Sequence, residues 1–456
     1  MKGRAETMEN QPMQDNITRN PRRRRKSKAQ IFREVYLPFI LVAVAVLAVI
    51  CIIVAVVSNS SNSGSNNGPD ASNSKLEKQA EKLLTQAEAL ATTYDYEGAL
   101  ELLKGFTGDL KDFPEVADAI TAYTTVIDTM VSWNANQVYN LSFHTLIADL
   151  EAALADKTYG QSGNNKYNSN FISTDEFSTI LTQLYEGDYV LVSLSDLYEY
   201  DEESNTYVAK ELKLPANKKP VMLTETHCSY YNYMANSHAF ATKLLHNKDG
   251  FYNELVKSDG TTVTGSYDMV PILESFIKEH PNFSYKGARA TLAFSGYNGI
   301  FGYRITSESL SADALAKEQA DATALIQALR DAGYDIACYS YDNVNYSNVD
   351  VIRADLAKWK EKITPVLGQT DILIFPWDSD IGTSYQDNSR FDILYENGFR
   401  YFMGSSNIIF SETGAKYVRH NRLSVTGSNL ANHSSWFKDI LNTDGLLDSR
   451  RGKISE

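Results

Sequence analysis

Cysteine is nearly absent from this chain, with three in 456 residues, and the placement of those three excludes more than their number does. Cys51 falls inside a long apolar run, and Cys228 and Cys338 stand alone, so there is neither a disulfide framework nor a thiolate metal spacing. On an oxidising side of a membrane the last two could pair, but two unlinked buried thiols are the expected state. Histidine is sparse too: among the seven (His144, His227, His238, His246, His280, His420, His433) no two are spaced four apart, and His144 and His280 read as structural rather than as ligands. A phosphate loop is missing, because Gly296 to Gly302 (G-Y-N-G-I-F-G) has no Lys-Ser/Thr after it, and no dinucleotide fingerprint or nucleophile elbow occurs. Basic charge is short, 43 Lys/Arg against 57 Asp/Glu for a net −14, which argues against nucleic acid as a partner.

What positive charge there is collects at the N-terminus. Residues 1–34 carry ten Lys/Arg and four Asp/Glu, a net +6 that leaves −20 on the remainder. Tyr36 to Val57 then runs without a charge, long enough at about 1.5 Å per residue to cross a hydrocarbon core of about 30 Å. The run exceeds a secretory-signal core and no small-residue cleavage site follows, so a retained anchor is expected. Arg22 to Lys26, Lys28 and Arg33 precede it and the neutral Ser58 to Asn73 follows. The positive-inside rule therefore predicts a cytoplasmic tail (1–35), one membrane helix (36–57) and an extracytoplasmic remainder.

Residues 58–74 read as a flexible polar linker. In the next segment (75–134), Leu76, Ala80, Leu83, Leu84, Ala87, Leu90 and Ala91 recur three and four apart, and Asp95 to Leu100 opens a second helix with Leu103 and Phe106 on its apolar side. The two resemble a tetratricopeptide hairpin. With fewer than three repeats before Trp133, a stalk packed on its neighbour is expected rather than a solenoid, and a protein partner docking there is an alternative use.

From about Val138 short apolar runs alternate with helical stretches. Strands are predicted at Leu141–Ile147, Tyr189–Ser193, Pro220–Leu223, Ala288–Phe294, Asp335–Ser340, Ile372–Phe375 and Tyr401–Phe402. Helices are predicted at Asp175–Tyr185, Val270–Lys278, Ser311–Ala332, Val349–Leu367 and Asp387–Asn397. Such alternation implies a parallel α/β sheet, open or closed into a barrel, with its chemistry beyond the C-terminal strand ends.

The order of these segments resembles a known family. Phe143 to Ile147, Asp175-Glu176-Phe177, Gly187 to Val192, Lys219 to Leu223, Tyr230-Tyr231, Tyr267-Asp268, Val270-Pro271, His280-Pro281, Gly296-Tyr297, Gly302-Tyr303-Arg304, Gly333 to Cys338 and Gly398 to Tyr401 are similar to the polysaccharide deacetylases of carbohydrate esterase family four, in a membrane-anchored bacterial branch. The resemblance covers residues 135–456 and implies a deformed (β/α) barrel. It also implies chemistry in which a divalent metal, usually zinc, polarises an acetamide carbonyl and activates water, held by one Asp and two His beside an Asp general base.

Those residues are substituted here. Where the family reads T/S-F-D-D, this chain reads Thr224-Glu225-Thr226-His227, so Thr226 takes the base position and His227 the metal position. Where it reads H-S-x-x-H, this chain has Tyr339-Ser340-Tyr341-Asp342-Asn343, so Tyr339 and Asn343 replace both imidazoles. The third motif appears as Ile374-Phe375-Pro376-Trp377-Asp378, without its Arg, and the late leucine-x-histidine motif is not found. Thr226 takes no proton at neutral pH, and Tyr339 and Asn343 are poor zinc ligands. Glu225, His227, Asp342, Asp378 and Asp380 are expected near the barrel mouth, with Pro376 and Trp377 beside them. Tyr230, Tyr231, Tyr233, Tyr341, Tyr346, Trp377 and Tyr385 cluster at strand ends, where aromatic faces suit sugar rings and buried structural roles compete. The expectation is a hydrolase-like pseudoenzyme with no cofactor, holding a cell-envelope polysaccharide without cutting it. One alternative is an active carbohydrate N-deacetylase using an unusual metal site on His227, and another is a tethered protein-interaction module.

Overall fold

A computed structural model describes residues 69–157, 159 and 166–454. The basic tail, the span 36–57 and most of the linker lie outside the described residues, and among those described no helix is long and apolar enough to cross a membrane.

Three helices open the described chain: α1 (Pro69–Thr92), α2 (Tyr96–Lys104) and α3 (Pro114–Thr129). The first begins inside the segment read as linker, and the expected hairpin is a trio because Pro114 starts a further helix at its first turn, where proline is tolerated. Small residues let the three approach closely: Ala80, Ala87, Ala99 and Ala119 are buried with Leu84, Leu103 and Val116. The trio docks on the sheet domain through the α1–α2 corner. There Tyr94, in the left-handed region at φ 67°, donates its hydroxyl to the Asn282 carbonyl at 2.8 Å and stacks on Tyr285. Lys286 holds Asp95 at 2.8 Å alongside.

The remainder is mixed α/β around a ten-stranded sheet curled into a half-barrel. Its strands are β1 (Tyr139–His144), β2 (Tyr189–Leu191), β3 (Lys219–Thr226), β4 (Thr291–Phe294), β5 (Asp335–Cys338), β6 (Ile372–Ile374), β7 (Tyr401–Met403), β8 (Ser411–Thr413), β9 (Val418–His420) and β10 (Leu423–Ser424). The spatial order is β8-β9-β7-β6-β5-β4-β3-β1-β10, and all pairs are parallel except β8–β9. Strand β2 pairs with the first half of β3, end to end with β4. All seven expected strands are present, as are the five expected helices, here α4 (Thr174–Glu186), α5 (Met269–Glu279), α6 (Ala312–Asp331), α7 (Val349–Lys362) and α8 (Ser389–Glu396). The stretch read as one helix over 349–367 breaks at Ile363, ahead of Pro365, which starts a short separate turn. Sequence patterning missed the three-stranded antiparallel insert Lys243–Asn247, Gly250–Val256 and Thr262–Gly265, and the closing strands β8–β10.

The sheet has two faces with period-two alternation. Leu141, Phe143, Val221, Leu223, Leu292, Phe294, Ile336 and Leu373 point to the helical layer and form the larger core with Phe177, Leu181, Met269 and Leu325. Val190, Met222, Ala293, Ala337, Ile374 and Met403 point inward. The inward row of β1 and β3 is partly polar: Thr224 donates to the Asn140 side chain at 2.8 Å, and His144 sits opposite Thr226 in the register.

Candidate functional site

Beyond the C-terminal ends of β1, β3, β5 and β6 lies an open cleft of about 660 Å³. It gathers Thr226, His227, Tyr339 and Asn343, the four positions singled out by the motif comparison, although they come from two strands more than a hundred residues apart in sequence. Asp342, Trp377 and Asp378 also line it.

Three expected cleft residues are not there. Glu225 is fully buried on the opposite face, since strand alternation that turns Thr224 and Thr226 inward must turn Glu225 outward. It meets Asp268, which accepts hydrogen bonds from the Leu146 amide (2.9 Å) and the Tyr230 hydroxyl (2.5 Å). Burial, then the Asp268 charge, pushes the Glu225 pKa well up. With both carboxyls ionised the two Glu225 oxygens have no donor, whereas a protonated Glu225 donates to Asp268. Asp380 is held by Arg419 at 2.9 Å and by the Tyr385 hydroxyl at 2.9 Å, away from the cleft. Pro376 is buried behind Trp377 at the start of a short 3-10 turn. Of the expected aromatics, Tyr231, Tyr233 and Trp377 line the cleft, while Tyr230, Tyr341, Tyr346 and Tyr385 are buried elsewhere. Asp342 lies on the rim, its carboxylate taken by Lys358 at 2.5 Å.

Two unexpected residues complete the floor. His144, read from sequence as structural, stands edge-to-face with His227, ring centroids 4.6 Å apart. Leu141 and Phe143 facing outward would have placed it inward, so period two carried the signal. Arg422, 2% exposed, donates to the Ser142 hydroxyl at 2.7 Å and to Asp378 at 3.1 Å. It arrives on the segment between β9 and β10, paired across the sheet to Ser405, and no local sequence cue links it to β1.

The hydrogen bonds assign both imidazole tautomers. Thr226 donates its hydroxyl to the Phe143 carbonyl at 3.2 Å, so its oxygen accepts from His227 Nδ1 at 3.1 Å. His144 Nδ1 donates to the Asn170 carbonyl at 2.8 Å. Each ring is thereby left with a bare Nε2 lone pair. Burial, then His144, then Arg422 holds the His227 pKa well below the ordinary imidazole range, and burial lowers that of His144. Tyr339, whose ring lies 5.1 Å from that of His227, has its phenol pushed up to about 12 by burial. The floor therefore offers neutral imidazoles and a protonated phenol at neutral pH.

This donor set does not fit the divalent metal of the resembling family. A protonated phenol is no ligand and a carboxamide is a weak one, and among the described residues no group of three or more His, Cys, Asp or Glu is placed to hold one ion. The Arg422 charge felt at His227 further disfavours a cation there.

Four cleft residues are held in a strained backbone conformation. His227 (φ 65°), Asn343 (φ 52°), Trp377 (φ 56°) and Asp378 (φ 53°) all sit in the left-handed region without being glycine. Each such residue costs about 1–3 kcal/mol and persists where the surroundings over-determine it, commonly at functional sites. Compared with known protein families and with curated proteins, the chain matches none.

Proposed function

We propose that this chain is a polysaccharide deacetylase-like protein that holds a cell-envelope glycan without deacetylating it, displayed outside the cell membrane from an N-terminal anchor. The observation that carries this is the convergence of Thr226, His227, Tyr339 and Asn343 in one strand-end cleft, where a protonated phenol and a carboxamide occupy the positions of the family's two metal-binding imidazoles. The curled parallel sheet suits the deformed barrel that the motif order implies. Tyrosines 159, 231, 233, 297 and 339, with Trp377, give the cleft walls apolar faces, and hydroxyls, imidazoles and the Arg422–Asp378 pair give them hydrogen-bonding groups. Such a mixture recognises sugars, which present C–H faces and hydroxyl edges.

The decisive experiment measures binding of purified protein to N-acetylated oligosaccharides together with acetate release and metal content. Binding without acetate release, unchanged by a chelator, is the expected result. Stoichiometric zinc with chelator-sensitive acetate release would instead establish an active N-deacetylase, the second reading, which the adjacent bare nitrogens of His144 and His227 favour. A protein-docking role for the helical trio is weaker, because its buried faces already serve the trio and its corner is fastened to the sheet domain.

A further inference from the structure

Among the described residues three large aromatic side chains are exposed, Tyr200, Tyr297 and Trp377, and two of the three stand on this cleft. Exposing an indole costs hydrophobic free energy, and Trp377 is 69% exposed while also held at φ 56°. Its orientation is fixed rather than incidental: the indole Nε1 donates to the Asn343 carbonyl at 2.8 Å, which occupies the ring edge and leaves the faces free. Tyr297, 54% exposed, is fixed through its amide, which donates to the Tyr341 carbonyl at 2.9 Å. Tyr297 also meets the Tyr231 ring at a tilt, centroids 6.2 Å apart, and the remaining tyrosines of that wall stack more closely. Tyr159 and Tyr231 both stack on Tyr233, at 5.0 Å and 5.4 Å.

Topology sets the spacing. Tyr297 lies three residues past the end of β4 and Trp377 three past the end of β6, and these strands flank β5, which carries Tyr339 between them. Two strand spacings are about 10 Å, roughly the length of two linked pyranose rings. The charged groups around the cleft come as two opposite pairs, Asp378 with Arg422 and Asp342 with Lys358, so no net charge selects an anionic or cationic polymer.

We propose that Tyr297 and Trp377 are paired stacking platforms that hold two rings of one unbranched, uncharged glycan chain, laid across Tyr339 and perpendicular to the strands. The two platforms need rings two residues apart to present their C–H faces in one plane, so an extended β-1,4-linked chain, which repeats every second ring, fits and an α-1,4-linked chain, curved by its axial linkage, does not. The inference rests on the glycan-binding role proposed above.

Calorimetric titration of the full chain tests it, with β-1,4-linked N-acetylglucosamine oligomers from the monosaccharide to the hexasaccharide as probes and α-1,4-linked maltohexaose as the control. Affinity is expected to climb steeply up to the trisaccharide and then level off, with maltohexaose not binding. Trp377→Ala and Tyr297→Ala should each weaken trisaccharide binding about tenfold, and Trp377→Tyr should restore most of it. Both side chains are exposed, so the variants should melt with the parent. If the parent binds the oligomers and both alanine variants match it, the platforms are refuted while the glycan-binding role stands. If the parent binds none of the probes, both fall.

Discussion

Asp355→Asn exchanges one oxygen for an NH2 group at the point where the cleft's second loop is tied down. Asp355, on α7 and 2% exposed, accepts four hydrogen bonds, two at each carboxylate oxygen. Oδ1 receives the Ser340 hydroxyl (2.9 Å) and the Asp342 amide (2.8 Å), and Oδ2 receives the Tyr341 amide (2.9 Å) and the Tyr346 hydroxyl (2.7 Å). An ionised carboxylate is the side chain with four acceptor sites and no donor, so whichever oxygen is replaced, a backbone amide meets an N–H, while the hydroxyl beside it can turn to accept from the new NH2. A buried donor left unsatisfied costs about 1–3 kcal/mol, which puts the variant about 2 kcal/mol below the parent, against a total stability of about 5–15 kcal/mol. A melting temperature lower by about 2–5 °C follows for a domain of this size. The loop also carries Tyr339 and Asn343, whose carbonyl holds the Trp377 indole, so glycan affinity should fall even well below the melting temperature. Calorimetric melting paired with oligosaccharide titration at 20 °C checks both. A variant that melts within about 1 °C of the parent would show that Asp355 does not organise the loop.

Four further outcomes are expected. Glu225→Gln supplies a permanent donor to Asp268: because the Glu225 pKa is raised in the folded state, the parent's stability from this pair is complete below the unfolded value of about 4.3 and fades as pH rises through the folded value. Melting from pH 5 to 9 should therefore favour the variant increasingly at alkaline pH, and parallel curves would contradict the shared proton. His144 and His227, with lowered pKa values, contribute stability that is present above the ordinary imidazole value of about 6.5 and lost as pH falls through their folded values, so ring NMR signals should titrate below the ordinary imidazole range; titration at or above that ordinary value would be inconsistent with their burial. The quadruple variant Thr226→Asp, His227→Asp, Tyr339→His, Asn343→His should bind zinc at least about tenfold more tightly than the parent by competition with a chromogenic chelator, and equal affinity would mean that ligand identity is not what the cleft lacks. Tyr94→Ala should release the helical trio to limited proteolysis near residue 94, whereas Lys286→Ala, which removes a partly exposed ion pair worth under about 1 kcal/mol, should barely change the cleavage rate.

Much of the sheet was legible because buried parallel strands read as short apolar runs, such as Val190-Leu191 and Ile372-Leu373-Ile374, separated by amphipathic stretches. The antiparallel insert was not, since Lys243–Asn247 and Thr262–Gly265 are half-exposed and polar. Within the site, Thr226, His227, Tyr339 and Asn343 were found by motif order, while Glu225 was misplaced by treating a motif as a patch rather than as alternate residues of a strand. Arg422 was out of reach for a different reason. Its partner Ser142 lies 280 residues away, and the pairing exists because a C-terminal strand closes against β1, a non-local contact that no local pattern encodes.

Arg422 also bears on why restoring ligands alone leaves the site short of a metal centre. Its guanidinium is buried, and its positive charge lowers the proton affinity of His227, His144 and Tyr339 alike. Proton affinity reports the local potential, and a dication responds to that potential twice as strongly as a proton does. At His144 and Tyr339 the Asp378 carboxylate opposes the effect, but at His227 Arg422 acts without that offset. The guanidinium therefore disfavours a cation beside His227, the position where the family resemblance would put one. The same group is a fixed donor beside neutral acceptors, an arrangement suited to the hydroxyls and acetamides of an intact sugar. Adding Arg422→Met to the quadruple variant should accordingly tighten zinc further, by roughly the square of the factor by which the same substitution in the parent raises the His227 proton affinity.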